Sequence, residues 1–453
     1  MRIQSIKIWL GMVLTILGVA VGPKPALALP SFARQTGMSC AACHTVFPEL
    51  TTYGRTFKLN GYTTNNSDQL KDGTDETGYR LEISNTPPIA AMLQIANVFV
   101  KNPPSTSAGG AGTADLASDK SGSLEFPSQF SLFYAGQITP KMGAWVQVTY
   151  DSYSGTLGMD NTDVRFADRV QIANTDLVYG ITANNNPTVQ DVFNTIPAWS
   201  FPYFTGKSAM TPLAATQVES LGTNVGGLGG YLFWNQLLYA EICAYRSAPQ
   251  GFNGAVTNTY NAIQGFAPYW RVGLTKDFDK HSLEAGVFGL DEHSIPDGNP
   301  LSFNHDHFSD IGVDAQYQYV SQQHCFTLKG SEIWENQTLD YSALAGFAAN
   351  PTDTLRSLKV DATYYYDRKI GLTLGYFSTI GSADSVVWGA NLANTPDTEG
   401  FIAEVNFVPW YNTKFGLQYT YFTKFNGSTD SYAVVGDHAT DNDTLSVVAW
   451  LMY

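Results

Sequence analysis

The sequence predicts an all-β chain: a 16-stranded antiparallel transmembrane β-barrel, preceded by a short N-terminal segment of different character. Three observations carry this. Charged residues make up only 14% and aromatics 13% of the 453 residues, with 25 Tyr and 41 Gly. That is poor in helix formers and rich in strand and turn formers. From residue 88 onward apolar and polar residues alternate with period two. The connections between the alternating runs are themselves alternately short and long, as in up-and-down membrane barrels.

The alternation is clearest late in the chain. Ile311, Val313, Ala315, Tyr317 and Tyr319 oppose Asp310, Asp314, Gln316 and Gln318. Leu358, Val360, Ala362, Tyr364 and Tyr366 oppose Lys359, Asp361 and Thr363; Phe415, Leu417, Tyr419 and Tyr421 oppose Lys414, Gln418 and Thr420. These read as half-buried strands. Sixteen such segments are predicted: 88–100, 124–138, 143–152, 163–173, 175–183, 226–235, 236–246, 267–278, 280–290, 307–320, 323–335, 355–367, 369–379, 399–409, 411–423 and 442–453. The even count returns the C-terminus to the side where the first strand began. The last strand alternates to an aromatic end at Tyr453, and Tyr317, Tyr319, Tyr364 and Tyr366 form part of an interfacial aromatic girdle. A soluble all-β protein is the alternative reading of alternation alone. Mean hydropathy of −0.12 excludes a helical membrane bundle but not a barrel. The connection 184–225, with Val192, Phe193, Ile196, Trp199, Phe201 and Tyr203, is too aromatic for a solvated loop. It either folds into the lumen or packs across the barrel mouth.

The N-terminus divides into three parts. Residues 1–28 have a basic start (Arg2, Lys7), an apolar run from Ile8 to Val21 and a small-x-small site at Ala26–Ala28, the pattern of a cleaved signal peptide. Its loss removes three positive charges and takes the net charge from −15 to −18; a chain this acidic lacks the basic face that nucleic-acid binding needs. Residues 29–62 hold Cys40-Ala-Ala-Cys43-His44, the C-x-x-C-H pattern of c-type haem attachment. Cys40 and Cys43 would each form a thioether to one porphyrin and His44 would ligate its iron. Pro48 is expected to open a helix whose apolar face is Leu50, Tyr53 and Phe57. Residues 63–87 read as a linker with little structure, and 88–453 as the barrel. Cys243 and Cys325 fall at opposite ends of their strands and are expected to stay free.

With those residues in view, the run Ala28-x-Pro30-x-Phe32-Ala33-Arg34-Gln35-Thr36-Gly37, then Cys40-x-x-Cys43-His44, Pro48-x-Leu50, Gly54, Phe57-Lys58 and Gly61-Tyr62 resembles the outer-membrane cytochrome–porin fusions of iron-oxidising bacteria. The detailed match covers about 35 residues. Tyr53 stands where that family more often has Phe. The resemblance implies a porin-like barrel with one covalent haem c and Fe(II) oxidation at the cell surface.

The parts set expectations for the chemistry. A segment of about 35 residues cannot enclose a haem, so it should sit in or at the lumen with barrel side chains completing the pocket. That is the placement a lumen of 16 strands permits. The sixth ligand is open between Met142, His281, His324 and none; Met38 is too near the attachment cysteines to reach the far face. On the donor side, loop 291–307 carries Asp291, Glu292, His293, Asp297, His305, Asp306 and His307, ligands suited to Fe(II). Lumen-facing Glu241, Glu284, Asp310, Asp314, Asp361 and Glu404 would draw cations inward, beside Arg271, Lys329, Lys359 and Lys414. The leading function is oxidation of extracellular Fe(II) with delivery of electrons to a periplasmic cytochrome or copper protein. The alternatives are a diffusion porin with a haem-bearing plug and a reductase for extracellular acceptors. The expected setting is outer-membrane lipid, with the haem on the periplasmic side or in the lumen.

Overall fold

The computed structural model describes residues 30–64, 69–72, 81–102, 122–152, 155–198, 200–248, 263–296, 304–389, 391–431 and 436–453. The leader, Trp199 and Asp297 lie outside these. Two short strands, β1 (Gln69–Asp72) and β2 (Leu81–Ser84), pair antiparallel within the stretch read from sequence as an unstructured linker. The barrel begins with β3 (Ile89–Val100), β4 (Ser123–Thr139), β5 (Met142–Asp151), β6 (Thr156–Ile172) and β7 (Thr175–Asn184). It continues through β8 (Val225–Trp234), β9 (Leu238–Ser247), β10 (Ala267–Phe278), β11 (His281–Ser294), β12 (Asp306–Val320) and β13 (His324–Thr338). β14 (Thr352–Tyr366), β15 (Ile370–Gly381), β16 (Thr398–Trp410), β17 (Thr413–Lys424) and β18 (Thr444–Met452) complete it. Each strand pairs with the next, and β18 closes on β3 from Thr444↔Val100 to Met452↔Met92, giving a closed 16-stranded antiparallel barrel with no free edge.

All sixteen predicted strands are present. The largest difference is β6, which starts at Thr156 rather than 163. Its pairing shifts by one residue between Val146↔Thr162 and Val148↔Met159. A bulge of this kind interrupts the alternation and hides the strand from a period-two reading. The short turns are tight: Ala173-Asn174 and Asp367-Arg368 both have positive φ at two successive residues, the pattern that matches the twist of a hairpin.

The two faces are inverted relative to a water-soluble barrel. Ile311, Val313, Leu372, Leu374, Val405 and Leu417 are exposed on the outside, while Asp310, Asp314, Asp361, Lys329, Thr373 and Gln418 are buried within. Apolar outside and polar inside is what a hydrocarbon surround selects. Among the described residues no helix is long and apolar enough to cross a membrane.

Two segments of the chain occupy the interior. Residues 30–62 lie within it at the short-turn end: Ser31 and Gln35 donate to the Ala135 carbonyl, Tyr62 to Asp163 (2.6 Å), and Thr52 to Asp277 (2.9 Å). The β7–β8 connection also turns inward, settling the choice left open above. Arg271 on β10 reaches Asp191 of that connection (3.4 Å) together with Glu284 (3.1 Å) and Asp314 (2.5 Å) of the wall. Gln316 donates to the Phe193 carbonyl (2.9 Å) and Asp310 accepts from the Val218 amide (2.8 Å).

Arg271 is fully enclosed and faces three carboxylates, so its removal strands buried negative charge. Arg271→Met is expected to cost about 3–5 kcal/mol, read as a lower urea midpoint in detergent. A midpoint equal to that of the parent protein would show that this cluster does not hold the inward connection.

Candidate haem-attachment site

The N-terminal segment is built from α1 (Pro30–Thr36), α2 (Cys40–Cys43) and α3 (Thr52–Leu59). α2 is a single turn after Ser39, which sets Cys40 and Cys43 on one face, as residues three apart are on a helix. The chain then leaves the helix at His44 (φ −122°, ψ 139°), whose N–H donates to the Cys40 carbonyl at 2.8 Å. It doubles back at once: the Thr45 amide donates to Glu49 O (3.1 Å), the Glu49 amide to Val46 O (2.9 Å) and the Thr51 amide to Cys43 O (2.9 Å). This return brings Glu49 O within 3.2 Å of His44 Nδ1. With Nδ1–H donated there, Nε2 keeps its lone pair and its direction is fixed, the usual arrangement of a metal-ligating histidine. Burial pushes the His44 pKa down to about 4, against the pull of the Glu49 and Pro48 carbonyls, so the ring is neutral. Neutral is the ligating form.

α3 opens later than expected. Pro48 belongs to the return turn, and the helix is capped by Thr51, whose Oγ1 accepts from the Gly54 amide (3.2 Å) and donates to Ala42 O (2.6 Å). The threonine satisfies an otherwise orphan helix donor, which proline at 48 cannot reach. Leu50 therefore lies before the helix, yet Leu50, Tyr53 and Phe57 still share one side, all lining the same cavity. At Gly54 a Cβ would stand 2.2 Å from the Cys43 carbonyl oxygen, so only glycine lets α3 cross α2. Arg55 anchors the far side of α3 to the wall, donating to Gln318 (2.7 Å) and Ser282 (2.8 Å).

The cavity measures about 1140 Å³ counting its open mouth. Cys40, Cys43 and His44 form one side. Phe32 and Phe57 meet edge to face at 5.1 Å, and Phe32 stacks on Tyr62 at 5.7 Å. Trp145 of β5 and Val189, Ala198 and Tyr203 of the inward connection supply the rest of the apolar lining. Among the described residues that line it, Lys58 is the one lysine or arginine and Asp191 the one carboxylate. Burial, with Arg165 close by, pushes the Lys58 ammonium down to about 8, and it donates to the Val189 carbonyl. Two thiols one turn apart, a neutral oriented imidazole, flat aromatic walls and a cation suit an iron porphyrin with its carboxylate arms.

The three proposed sixth ligands do not reach this cavity. His281 Nδ1 lies 2.8 Å from the Tyr317 hydroxyl and His324 Nδ1 lies 2.7 Å from that of Tyr364. Both belong to the external aromatic girdle. Met142 alternates with Gly143, which packs inward on Gly61, so its side chain is outside. Each was placed at the correct end of the barrel, but side-chain parity in a strand puts them on the wrong face. Met38, set aside from sequence, does line the cavity.

The lumen charges are in place but not free. Asp361 pairs with Lys329 (3.8 Å), Glu404 with Lys414 (3.5 Å), Glu284 and Asp314 with Arg271, and Glu241 accepts from Tyr239; Lys359 reaches Glu219 on the inward connection. They fasten the plug instead of offering a bare cation lure. The 291–307 group is split: Glu292 and Asp306 are buried, while Asp291, His293 and His307 come together on the outward side with His305 beside them. Cys243 and Cys325 are both free. Sequence reasoning missed Trp145, Lys58, Asp191 and Tyr203. Trp145 carried a signal, an aromatic on the parity that otherwise holds Gly143, Gln147 and Thr149.

Gly54→Ala pushes α3 off the attachment turn and is expected to lower covalent haem per barrel several-fold while the barrel still assembles. Haem staining set against the heat-modifiable barrel band measures this; undiminished haem would show that the crossing is not needed.

No family model matches this chain, and no curated protein does. Solved structures align with this chain at low identity, and the barrel described above does not rest on them. OmpF of Salmonella typhi in complex with daunomycin aligns at 13% identity over 81% of this chain and 97% of that one, with a TM-score of 0.46. An anion-selective porin from Comamonas acidovorans aligns at 11% over 81% and 98% (0.45), and the outer membrane channel DcaP of Acinetobacter baumannii at 11% over 81% and 96% (0.44).

Proposed function

We propose that this chain is an outer-membrane electron-transfer protein that takes electrons from extracellular Fe(II) and passes them to a periplasmic carrier. Cys40 and Cys43 hold a single haem c and His44 ligates its iron. The observation that carries this is the attachment turn opening onto an aromatic cavity enclosed jointly by the N-terminal segment, β5 and the inward connection. Bound haem supplies one-electron chemistry between two oxidation states of its iron.

The chain's own residues do the rest. The Glu49 carbonyl holds the imidazole in one tautomer, Phe32, Phe57 and Trp145 exclude water, and Lys58 balances negative charge at the cavity edge. Both inward segments are tied to the wall by ion pairs and hydrogen bonds, which supports a fixed plug beside the cavity over a wide diffusion pore. The placement of residues 30–62 at the short-turn end suits exchange with a partner on that side. The apolar outer face supports a setting in outer-membrane lipid. The substrate and the direction of transfer rest on the sequence resemblance.

Reconstitution tests the reading. With cytochrome c sealed inside liposomes and Fe(II) added outside, internal haem is expected to become reduced only when the protein is present. His44→Ala should abolish this and alter the haem spectrum with the barrel intact. Internal cytochrome that stays oxidised, while a membrane-permeant reductant still reaches it, would sink the iron-oxidase reading.

A further inference from the structure

The chain holds only seven histidines, and three of them meet where β11 and β12 end at the long-connection side. His293 and His307 are directly opposed across the pair, with rings stacked 4.6 Å apart at 16°. Asp291, two residues before His293 on the same face, places Oδ2 2.8 Å from His307 Nε2. His305 sets its ring edge-on to His293 at 4.7 Å. One ligand atom from each of Asp291, His293 and His307 lies within 4.8 Å of the others. Around a tetrahedral zinc with bonds of about 2.1 Å, ligand atoms are roughly 3.4 Å apart, so small side-chain rotations complete the shell.

We infer that Asp291, His293 and His307 form a site for a divalent first-row transition metal on the outside of the barrel. Two imidazoles and one carboxylate are a borderline donor set with coordination positions left over. A second observation points the same way: His293 Nδ1 is enclosed and meets no hydrogen-bond partner among the described residues. An enclosed ring nitrogen of this kind is costly unless something engages it.

The site is distinct from the haem cavity and from any route through the lumen. Strand parity turns Asp291, His293 and His307 outward, while the neighbouring Glu292 (1% exposed) and Asp306 (2%) face in. Ile311 and Val313, on the same outward face, are exposed and apolar. Four residues at about 3.3 Å each set His307 roughly 13 Å beyond Ile311, at the margin of the apolar band. A metal bound there joins β11 to β12 across the last rungs of their ladder, before the chain enters the long connection. The inference therefore stands or falls independently of the electron-transfer proposal.

Calorimetric titration of zinc alone into the full-length, chelator-washed protein in detergent tests it. One equivalent of zinc is expected to bind, with affinity falling on the order of tenfold or more in His293→Ala and in His307→Ala. Asp291→Asn should weaken binding to a smaller extent. His438→Ala, altering an exposed histidine paired with Asp430 in another connection, should change nothing. Barrel heat-modifiability serves as the folding check in every variant. Absence of binding at millimolar zinc, or binding unaffected in correctly folded His293→Ala and His307→Ala, overturns the assignment.

Discussion

The arrangement depends on a guanidinium in the middle of the lumen. Arg271 projects from β10 into a wall that already carries Glu284 and Asp314, so the wall alone offers two carboxylates to one cation. The third carboxylate, Asp191, comes from the inward connection, and Thr195 of the same connection donates to Asp314. Buried ion clusters contribute little net stability compared with apolar packing, but breaking them is costly, which makes them effective at fixing one arrangement among many. Here they fix how the connection lies. With Asp191 held, Val189, Asn194 and Ala198 are brought to the cavity edge.

That solves a conflict of polarity. A barrel in lipid has a polar inner wall, whereas the cavity inside this one is lined by apolar and aromatic side chains. The two inward segments reconcile these by being two-faced. α3 sends Arg55 to Gln316, Gln318 and Ser282 on the wall and turns Phe57 to the cavity. The inward connection likewise gives Glu219 to Lys359 on the wall and keeps Val189 and Ala198 for the cavity. Tyr203 does both, with its hydroxyl on Lys329 (2.6 Å) and its ring at the cavity. Contact with the wall is polar, and contact across the cavity is aromatic.

Much of the barrel was legible because strand parity is a short-range property. Alternation alone sorted Glu284, Asp310, Asp314, Asp361 and Arg271 to the inside. The expectation for Cys40, Cys43 and His44 rests only on their spacing, and the structure places all three at one cavity. What failed did so for identifiable reasons. Met142, His281 and His324 were placed by height along the barrel, where the error of one residue in parity decides between lumen and lipid. The bulge in β6 broke the alternation that would have revealed Thr156–Thr162. Thr51 was overlooked as a cap because Pro48 offers a louder signal three residues earlier. Asp191 and Tyr203 reach the cavity through the tertiary folding of a 40-residue connection, whose aromatic content marked it as inward or mouth-packed without saying which residues would meet Lys58 of α3 there.

Ownership of the cavity is the remaining consequence. The N-terminal segment supplies Cys40, Cys43 and His44, β5 supplies Trp145, and the inward connection supplies Val189, Ala198 and Tyr203. These three parts are separated by long stretches of chain and belong to different strand pairs. A group bound only where all three meet stabilises that arrangement over every looser one, by ordinary linkage between binding and folding. The same reasoning runs backwards through Arg271: loosening Asp191 removes one cavity wall without touching a residue of the attachment motif. The N-terminal segment forms only one side of the cavity, because the barrel and its inward connection supply the others, and it cannot form the cavity wherever they are displaced.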